Sequence, residues 1–168
     1  MSYSIRPEKQ SDISAIHDIT IAAFLNEPNT DHTEQFIVDA LRKTGALTIS
    51  LVAENSSNVI GHIAISPISI SDDTTDWYGL GPISVSPEHQ NKGVGSKLMS
   101  NALNELRDLG AAGCVLLGEP SYYSRFGFKQ EKNLVLPNVP QEYFQALSFG
   151  SSMPNGLVTY NEAFNAKG

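Results

Sequence analysis

A glycine loop between a predicted strand and a predicted helix constrains this chain more than any other feature. The run Ile83-Ser84-Val85 favours an extended backbone, and Pro87 ends that strand because proline has no N–H for a ladder hydrogen bond. The loop then reads Gln-x-x-Gly-x-Gly over residues 90–95. Behind it, apolar residues recur at helical spacing until Gly110, namely Leu98, Met99, Ala102, Leu103, Leu106 and Leu109.

Such a loop is a candidate binding site for an anionic group. The first N–H groups of a helix have no partner within it, the helix dipole favours negative charge, and glycine lets a phosphate approach the backbone. The motif is not a P-loop, since Gly95-Ser96-Lys97 has the wrong order, and not a dinucleotide fingerprint, since position 98 is Leu. A plain strand-to-helix turn explains the loop alone equally well.

The context of the loop resembles the acetyl-CoA loop of the GNAT superfamily of N-acetyltransferases. The loop follows Val85-Ser-Pro-Glu88. A second stretch, Gly118-Glu-Pro-Ser-Tyr-Tyr-Ser-Arg-Phe-Gly-Phe128, places Tyr123 four residues before Gly127, an offset common in that superfamily. The sequence of this stretch is similar to that of the YhbS-like bacterial branch of the superfamily, and the resemblance extends from Ile5 to Phe164.

The order of elements predicts an α+β fold. A strand, a helix and a strand around the glycine loop make a right-handed crossover, so strands 77–85 and 114–117 should be parallel. The resemblance implies a mixed, mostly antiparallel sheet with flanking helices, splayed at this step into a V-shaped acetyl-CoA slot. We find no repeat or linker, and the 168 residues suffice to bury a core, so a single domain over residues 1–168 is predicted.

Periodicity and turn residues predict the remaining elements. Ser11 is the candidate N-cap of a first helix. Pro67, Gly79 and Pro82 mark bulges or sheet edges. The other predictions are a strand at 4–6, a helix at 33–43, strands at 47–54 and 59–70 joined by a hairpin at 55–58, a short helix or turn at 121–125, a strand from 128 to 131, a possible short helix at 141–147 and a last strand at 156–164.

The resemblance implies how acetyl-CoA is held. The loop that binds the pyrophosphate comprises Gln90, Asn91, Lys92, Gly93, Val94, Gly95 and Ser96. Lys92 is equally a solvated surface charge, and Arg125 either reaches a CoA phosphate or forms an ion pair. The pantetheine arm would lie along Ile83, Ser84 and Val85 like an added strand, with the Val85 N–H as candidate oxyanion donor. Ordinary sheet pairing is the alternative for these three residues.

Tyr123 is the candidate general acid, because a phenol can protonate the departing thiolate. The alternative is that its ring only packs among the neighbouring phenylalanines. Tyr122 is expected in the core or in the wall of the acceptor site. For the general base the residues leave Glu34, Glu54, His62 or water alone as alternatives.

Composition excludes several classes of protein. The net charge of −7 argues against a nucleic-acid partner, which requires clustered Lys and Arg. The four His and the single Cys114 show no metal-ligand spacing, so no metal is predicted. One cysteine excludes a disulfide within the chain, and no apolar segment precedes Arg6, so neither a signal peptide nor a membrane span is expected. A cytoplasmic protein is the expectation, and the resemblance implies a bacterial one.

The sequence thus predicts an acetyl-CoA-dependent N-acetyltransferase in which an amine attacks the thioester directly. A non-catalytic acyl-CoA-binding sensor or partner module is the alternative, and another kind of nucleotide-binding protein is a third. The amine acceptor, a small molecule or a protein amine, is not specified, since acceptor sites lie on variable loops. Here those are Asn26–His32, Asp72–Asp76 and Pro137–Pro154. Tyr143, Phe144 and Phe149 suggest an apolar lid, and packing in the core explains them equally well. An exposed edge of the last strand would permit a homodimer.

Overall fold

The computed structural model describes residues 2–28, 30–150 and 152–168. The α-helices are α1 (Ile13–Phe24), α2 (Glu34–Lys43), α3 (Val94–Asp108) and α4 (Pro120–Tyr123). The strands are β1 (Ser4–Pro7), β2 (Ile49–Asn55), β3 (Asn58–Ile70), β4 (Trp77–Val85), β5 (Gly113–Leu117), β6 (Leu134–Val135), β7 (Phe144–Ser148) and β8 (Gly156–Tyr160). Short 3-10 turns lie at Gln10–Asp12, Pro87–His89, Ser124–Phe126, Gln141–Tyr143 and Glu162–Asn165.

The strands form a mixed sheet that confirms the predicted fold class. Its main path runs in the order β1-β2-β3-β4-β5-β7, and every neighbouring pair is antiparallel except β4 and β5. Helix α3 connects these two strands, so the parallel step falls where the crossover predicted it. Strand β8 pairs with the far end of β3 and with β6, so the edge proposed for a homodimer is paired at Gly156 and Leu157.

Local signals set the hairpin and the bulge in the middle of the sheet. Ser56 and Ser57 both take positive φ, 49° and 70°, which gives the tight turn predicted between β2 and β3. In the ladder of β3 and β4, Ile63 pairs with Ile83 whereas Ile65 pairs with Leu80. Strand β4 therefore carries one extra residue around Gly81-Pro82, as the proline there predicted.

The start of the first helix differs slightly from the prediction. Helix α1 begins at Ile13 after a 3-10 turn, and its N-cap is Asp12 rather than Ser11. The reason is the Asp12 carboxylate, which accepts hydrogen bonds from the Lys9 N–H at 2.7 Å and from the Arg6 guanidinium at 2.7 Å. These bonds fix the backbone one residue later than the serine would.

Three predictions in the last third of the chain were wrong. Residues 128–131 form only one bridge, Lys129 to Ala146, because Phe128 turns into the core. Residues 141–147 are not a helix: after a 3-10 turn, Phe144–Ser148 pairs with the whole of β5. The last strand ends at Tyr160 because the Asn161 side chain accepts the Ala163 N–H and starts a turn.

Helices cover both faces of the sheet and hold β4 in place. On one face, Leu98 and Met99 of α3 are fully buried against Ile63 and its neighbours in β3. Gly61 permits this approach, since a Cβ there would lie 3.0 Å from Leu98 Cδ1. On the other face, α1 and α2 pack on β2 through Ile16, Val38 and Val52. Each leucine buried in this way contributes roughly 1.5–3 kcal/mol to stability.

Candidate functional site

The edge of β4 that faces β5 is only partly paired. Within the described residues, the two strands pair at Trp77 with Gly113, Tyr78 with Cys114 and Gly79 with Val115. From Leu80 to Val85, β4 continues without a ladder partner on that side, and β5 ends at Leu117. The sheet therefore opens beyond Gly79 into a gap between the two strands.

The direction of the backbone decides which groups of β4 face this gap. The Ser86 N–H donates to the Ile60 carbonyl of β3 at 2.8 Å. Because N–H groups alternate in direction along an antiparallel strand, the amides of Ile83 and Val85 point away from β3, into the gap. The Gln90 side chain donates to the Val85 carbonyl at 3.0 Å, which agrees with this direction. The Val85 N–H therefore points into the gap.

The turn before α3 leaves a row of N–H groups free. Asn91 and Gly93 take positive φ, 62° and 84°, and Gly93 is the N-cap without any side-chain cap. The first hydrogen bond of the helix at this end runs from the Lys97 N–H to the Gly93 carbonyl at 3.1 Å. The amides before it, those of Val94, Gly95 and Ser96, have no acceptor within the helix. With the helix dipole, they make a site suited to an anion.

Tyr122 connects α4 to the start of α3. Its hydroxyl and the Ser96 Oγ are 2.9 Å apart, although the residues are 26 positions apart in the chain. The Arg125 guanidinium lies 4.3 Å from the centre of the Tyr122 ring, and Arg125 Nε donates to the Tyr122 carbonyl at 2.8 Å. Within the described residues Arg125 forms no ion pair, so its cation stacks on an aromatic ring instead. Tyr122 lines the gap at the glycine loop.

Tyr123 lies behind Tyr122, half-buried against the core beside α3. Its ring contacts Gly118 so closely that a Cβ at that position would collide with it. Burial, with a smaller effect of Tyr122, raises the pKa of the Tyr123 hydroxyl above its ordinary value of 10.0. The phenol therefore carries its proton at neutral pH, as a general acid must.

The three candidate bases have different surroundings. Glu54 is paired with Arg6 at 3.0 Å on β2, two strands away from the gap. Glu34 accepts a hydrogen bond from the Thr30 hydroxyl, and its Oε1 is buried without a partner among the described residues. His62 is fully buried on β3, in register with Ser84 of β4. Only His62 lies on the strand next to the open edge.

Sequence reasoning missed two polar groups that support these residues. Glu8 accepts from the Ser50 hydroxyl, and Ser50 is 2.8 Å from His62 Nε2. Gln145, buried on β7, donates to the Gly118 carbonyl at 2.9 Å and fixes the chain before α4. Glu8 gave no local signal, because it meets Ser50 across 42 positions. Gln145 lay inside a segment interpreted as a helix.

Two of the three predicted acceptor loops border cavities. A cavity of about 150 Å³ lies beside the first loop and is lined by Ile21, Phe24, Leu25, His32 and Gln35. Asn29 of that loop is outside the described residues. A more open groove of about 390 Å³ lies beside Asp72–Asp76. The apolar lid is not formed: Phe144 is buried in β7 and Phe149 packs under Arg107, 4.8 Å from its ring centre.

Residues 2–28, 30–150 and 152–168 contain no candidate for a membrane-spanning helix, a metal site or a nucleophilic cysteine. No helix there has both the length and the apolar run that crossing a bilayer requires. No three or more His, Cys, Asp or Glu side chains cluster there as ligands for a metal ion. Cys114 is buried on β5, and burial raises the pKa of its thiol far above the ordinary value, so it is no nucleophile.

Comparisons with known proteins agree with this geometry. A family model described as an acetyltransferase (GNAT) domain matches residues 4–130. The chain is 33% identical over 153 residues to the uncharacterized N-acetyltransferase YhbS of Escherichia coli K12, covering 86% of this chain and 91% of that protein. A GNAT acetyltransferase from Brucella melitensis, crystallised with acetyl-CoA, superposes with a TM-score of 0.87 at 47% identity over 97% of this chain and 98% of its own. The E. coli YhbS structure in complex with CoA gives a TM-score of 0.89 at 31% identity over 99% and 93%.

Proposed function

The chain belongs to the GNAT family of acetyltransferases, and we propose that it is an N-acetyltransferase that transfers the acetyl group of acetyl-CoA directly to an amine. One observation carries the proposal: the unpaired edge of β4 lies beside the free N–H groups of α3. A ligand with amides along one part and phosphates at another fits these two features together. The acetyl-CoA and CoA bound in the two similar crystal structures support the same choice.

The loop residues Gln90 to Ser96 are proposed to bind the pyrophosphate. The amides of Val94, Gly95 and Ser96 donate to its oxygens, while the exposed Lys92 adds positive charge. Gln90 holds the loop against β4 through its bond to the Val85 carbonyl. The pantetheine amides take the place of a strand along Ile83, Ser84 and Val85.

The residues around the gap supply the chemistry of acyl transfer. The amine nitrogen attacks the thioester carbonyl carbon, and the Val85 N–H donates to the oxygen as it becomes negative. The carbon–sulfur bond then breaks, and Tyr123 gives its proton to the departing thiolate. The amide product forms when the amine nitrogen has lost a proton to a base. All these residues lie in one domain, which we propose spans residues 1–168.

Gly95→Ala tests whether the start of α3 is the phosphate site. The new Cβ would lie 3.7 Å from the Tyr122 hydroxyl and 3.8 Å from Val85 Cγ2, which is ordinary contact, so the fold has room for it. This Cβ would occupy the space through which the pyrophosphate must approach the backbone N–H groups. We expect calorimetry to show acetyl-CoA affinity falling by about tenfold, or roughly 1.4 kcal/mol, with the melting temperature of the free protein kept.

Ser100→Ala is the matched control for this variant, because Ser100 is exposed further along the same helix. It should leave the affinity unchanged. If Gly95→Ala bound acetyl-CoA as the unchanged protein does, the phosphate would not lie at this loop. In a thermal-shift screen, a melting temperature raised by ATP or NAD but not by acetyl-CoA would favour the third alternative, another kind of nucleotide-binding protein.

Acceptor-dependent release of the CoA thiol tests the reaction itself. The protein is incubated with acetyl-CoA and a panel of amines, and free thiol is measured with a dye. An enzyme releases thiol only when a suitable amine is present. Tight binding of acetyl-CoA without release for any amine in the panel would favour the sensor or partner module instead.

A further inference from the structure

Both backbone polar groups of Gly118 are held by the start of β7. The Gly118 N–H donates to the Tyr143 carbonyl at 2.9 Å. The Gly118 carbonyl accepts a hydrogen bond from Nε2 of Gln145, also at 2.9 Å. Gly118 directly follows the last ladder pair of β5 and β7, Leu117 with Phe144. A backbone bond and a side-chain bond therefore fix the chain at the point where β5 has ended and α4 has not yet begun.

The surroundings of Gln145 assign the orientation of its amide. Besides the Gly118 carbonyl, Nε2 lies 3.4 Å from the Tyr143 carbonyl. Carbonyl oxygens only accept, so the NH2 group must face them and the side-chain oxygen must face away. Gln145 is 1% exposed, and its Oε1 is buried without a partner within the described residues. An apolar residue would be buried here at lower cost, so the donor to Gly118 is what glutamine adds at this position.

The ring of Tyr123 lies directly against Gly118. A Cβ at position 118 would collide with Cδ2 and Cε2 of that ring. Gln145 pairs with Leu116 across the ladder, and Leu116 belongs to the core cluster beside α3 against which Tyr123 packs. Because residues paired across a ladder project to the same side of the sheet, the Gln145 amide and the Tyr123 ring approach Gly118 on one face. The position of the glycine thus limits the position of the phenol.

The backbone gives Tyr123 little freedom relative to Gly118. Only Glu119 separates Gly118 from α4, and the Tyr123 N–H donates to the Glu119 carbonyl at 3.1 Å. Helix α4 has four residues, Pro120–Tyr123, and a helix of one turn is not stable without its neighbours. A shift of the Gly118 carbonyl is therefore passed to the Tyr123 side chain through the backbone and through the ring contact.

We propose that Gln145 is a positioning residue that holds the Tyr123 hydroxyl where it can protonate the departing CoA thiolate. This inference rests on the proposed function, in which Tyr123 is the general acid. In that step the phenol O–H bond breaks and an S–H bond forms, and the phenolate then takes a proton from solvent, since burial raises the pKa of the phenol. Gln145 stays neutral and exchanges no proton. It acts on distance, because proton transfer requires the two heavy atoms within hydrogen-bond reach.

Gln145→Met tests the proposal, because methionine has a similar length and volume but no donor for the Gly118 carbonyl. With an amine found active in the thiol assay, we expect kcat to fall by about threefold to tenfold, and by no more than in Tyr123→Phe. The Kd of acetyl-CoA in calorimetry should be unchanged, since neither β4 nor the glycine loop is altered. Gln145→Asn keeps an amide that is too short to reach Gly118, and it should show the same loss. An unchanged kcat in both variants would overturn the proposal.

The double variant with Tyr123→Phe separates positioning from a general structural role. If Gln145 acts only through the Tyr123 hydroxyl, Gln145→Met has nothing further to remove once that hydroxyl is gone, and kcat should equal that of Tyr123→Phe alone. Multiplied losses would refute the positioning role. If Tyr123→Phe itself left kcat unchanged, the role of Tyr123 in the proposed function would fail and this inference with it. A normal loss in Tyr123→Phe without a loss in Gln145→Met would refute the inference alone.

Carbon-13 NMR of ring-labelled tyrosine in the free protein reports on the phenol without any activity. Gln145→Met should shift the Tyr123 ring resonances, whereas those of Tyr160, which lies on β8 beside Ile68, should keep their positions. A Tyr123 signal that ignores Gln145→Met would refute the positioning role even if the variant were slow.

Thr20→Val is the matched control. Thr20 is fully buried on α1, and its hydroxyl donates to the Ile16 carbonyl at 2.7 Å. Valine has a similar volume, so this change also removes a buried donor to a backbone carbonyl, but on an element away from Gly118. It should leave kcat and the Tyr123 resonances unchanged, whatever its effect on the melting temperature. Equal losses of kcat in Thr20→Val and Gln145→Met would show that any loss of stability slows the enzyme, and would refute the proposal.

Discussion

The folded state should lose stability as the pH is lowered from about 8 to about 5, because of one buried histidine. Burial lowers the pKa of His62 from 6.5 to about 4. Between these two values the unfolded chain binds a proton at His62 that the folded chain does not bind. Proton uptake therefore favours unfolding, so stability is complete above the unfolded pKa and declines as the pH falls toward the folded one.

The size of this effect follows from the two pKa values. At about pH 5 the unfolded histidine is mostly protonated and the folded one is mostly not, which costs about 2 kcal/mol relative to pH 8. Glu8 and Asp12 also have lowered pKa values, but their contributions are lost mainly below their ordinary values of 4.5 and 3.8. A domain of this size has a free energy of unfolding of roughly 5–15 kcal/mol, so the change is readily measured.

Urea denaturation followed by circular dichroism at the two pH values is the assay. With an m-value of about 2 kcal/mol/M, the midpoint should fall by about 1 M on acidification. His62→Gln should remove most of this fall, because glutamine keeps the bond to Ser50 and does not titrate. The exposed His32→Gln serves as control and should behave like the unchanged protein. Equal pH dependence in the unchanged protein and in His62→Gln would refute the reasoning.

Three further predictions concern the site and the seam of the sheet. Tyr123→Phe should lower kcat by about tenfold or more without changing acetyl-CoA affinity in calorimetry, and an unchanged kcat would remove Tyr123 from the mechanism. Gly113→Ala should lower the free energy of unfolding by about 1–3 kcal/mol, because its Cβ would lie 2.5 Å from the Trp77 ring and 2.7 Å from the Leu147 carbonyl oxygen; a urea midpoint equal to that of the unchanged protein would contradict this. Cys114 should react with a thiol dye only on unfolding, since it is buried, and fast labelling in native buffer would argue against that position.

The elements around the gap were predictable because their signals are local. Strand β4 and helix α3 follow from an extended run, a proline, glycines that permit positive φ and an apolar repeat, all within 30 or so neighbouring positions. The strand–helix–strand order then required a parallel pair. The motif offset likewise singled out Tyr123, which the structure places half-buried beside α3.

Strand β7 was missed because its existence depends on a distant partner. Taken alone, residues 141–147 contain Gln, Glu, Ala and Leu, which favour a helix, and Gln145 interrupts any alternation of apolar and polar residues. The structure pairs Phe144–Ser148 with β5 and gives Gln145 a partner at the Gly118 carbonyl. Non-local pairing therefore overrides the local preference.

The buried hydrogen-bond network of Glu8, Ser50 and His62 could not be predicted for a similar reason. Its members lie just after β1, on β2 and on β3, and only the register of these strands brings them together. In the sequence, Ser50 is an ordinary strand residue, and His62 was one alternative for the base beside Glu34, Glu54 and water alone. The missing information is the burial of each atom and the number of hydrogen bonds it makes.

The short parallel ladder between β4 and β5 divides the sheet into two halves. Within the described residues, the two strands are joined where Trp77, Tyr78 and Gly79 pair with Gly113, Cys114 and Val115, and the Ala112 N–H donates to the Asp76 carbonyl just before them. Such a junction can act as a hinge, since the strands beyond it are tied by α3 and side chains rather than by backbone bonds. A molecule inserted there would brace the two halves against each other. Amide hydrogen exchange should consequently slow on both sides of the opening when acetyl-CoA is added, including at residues that the coenzyme itself does not touch.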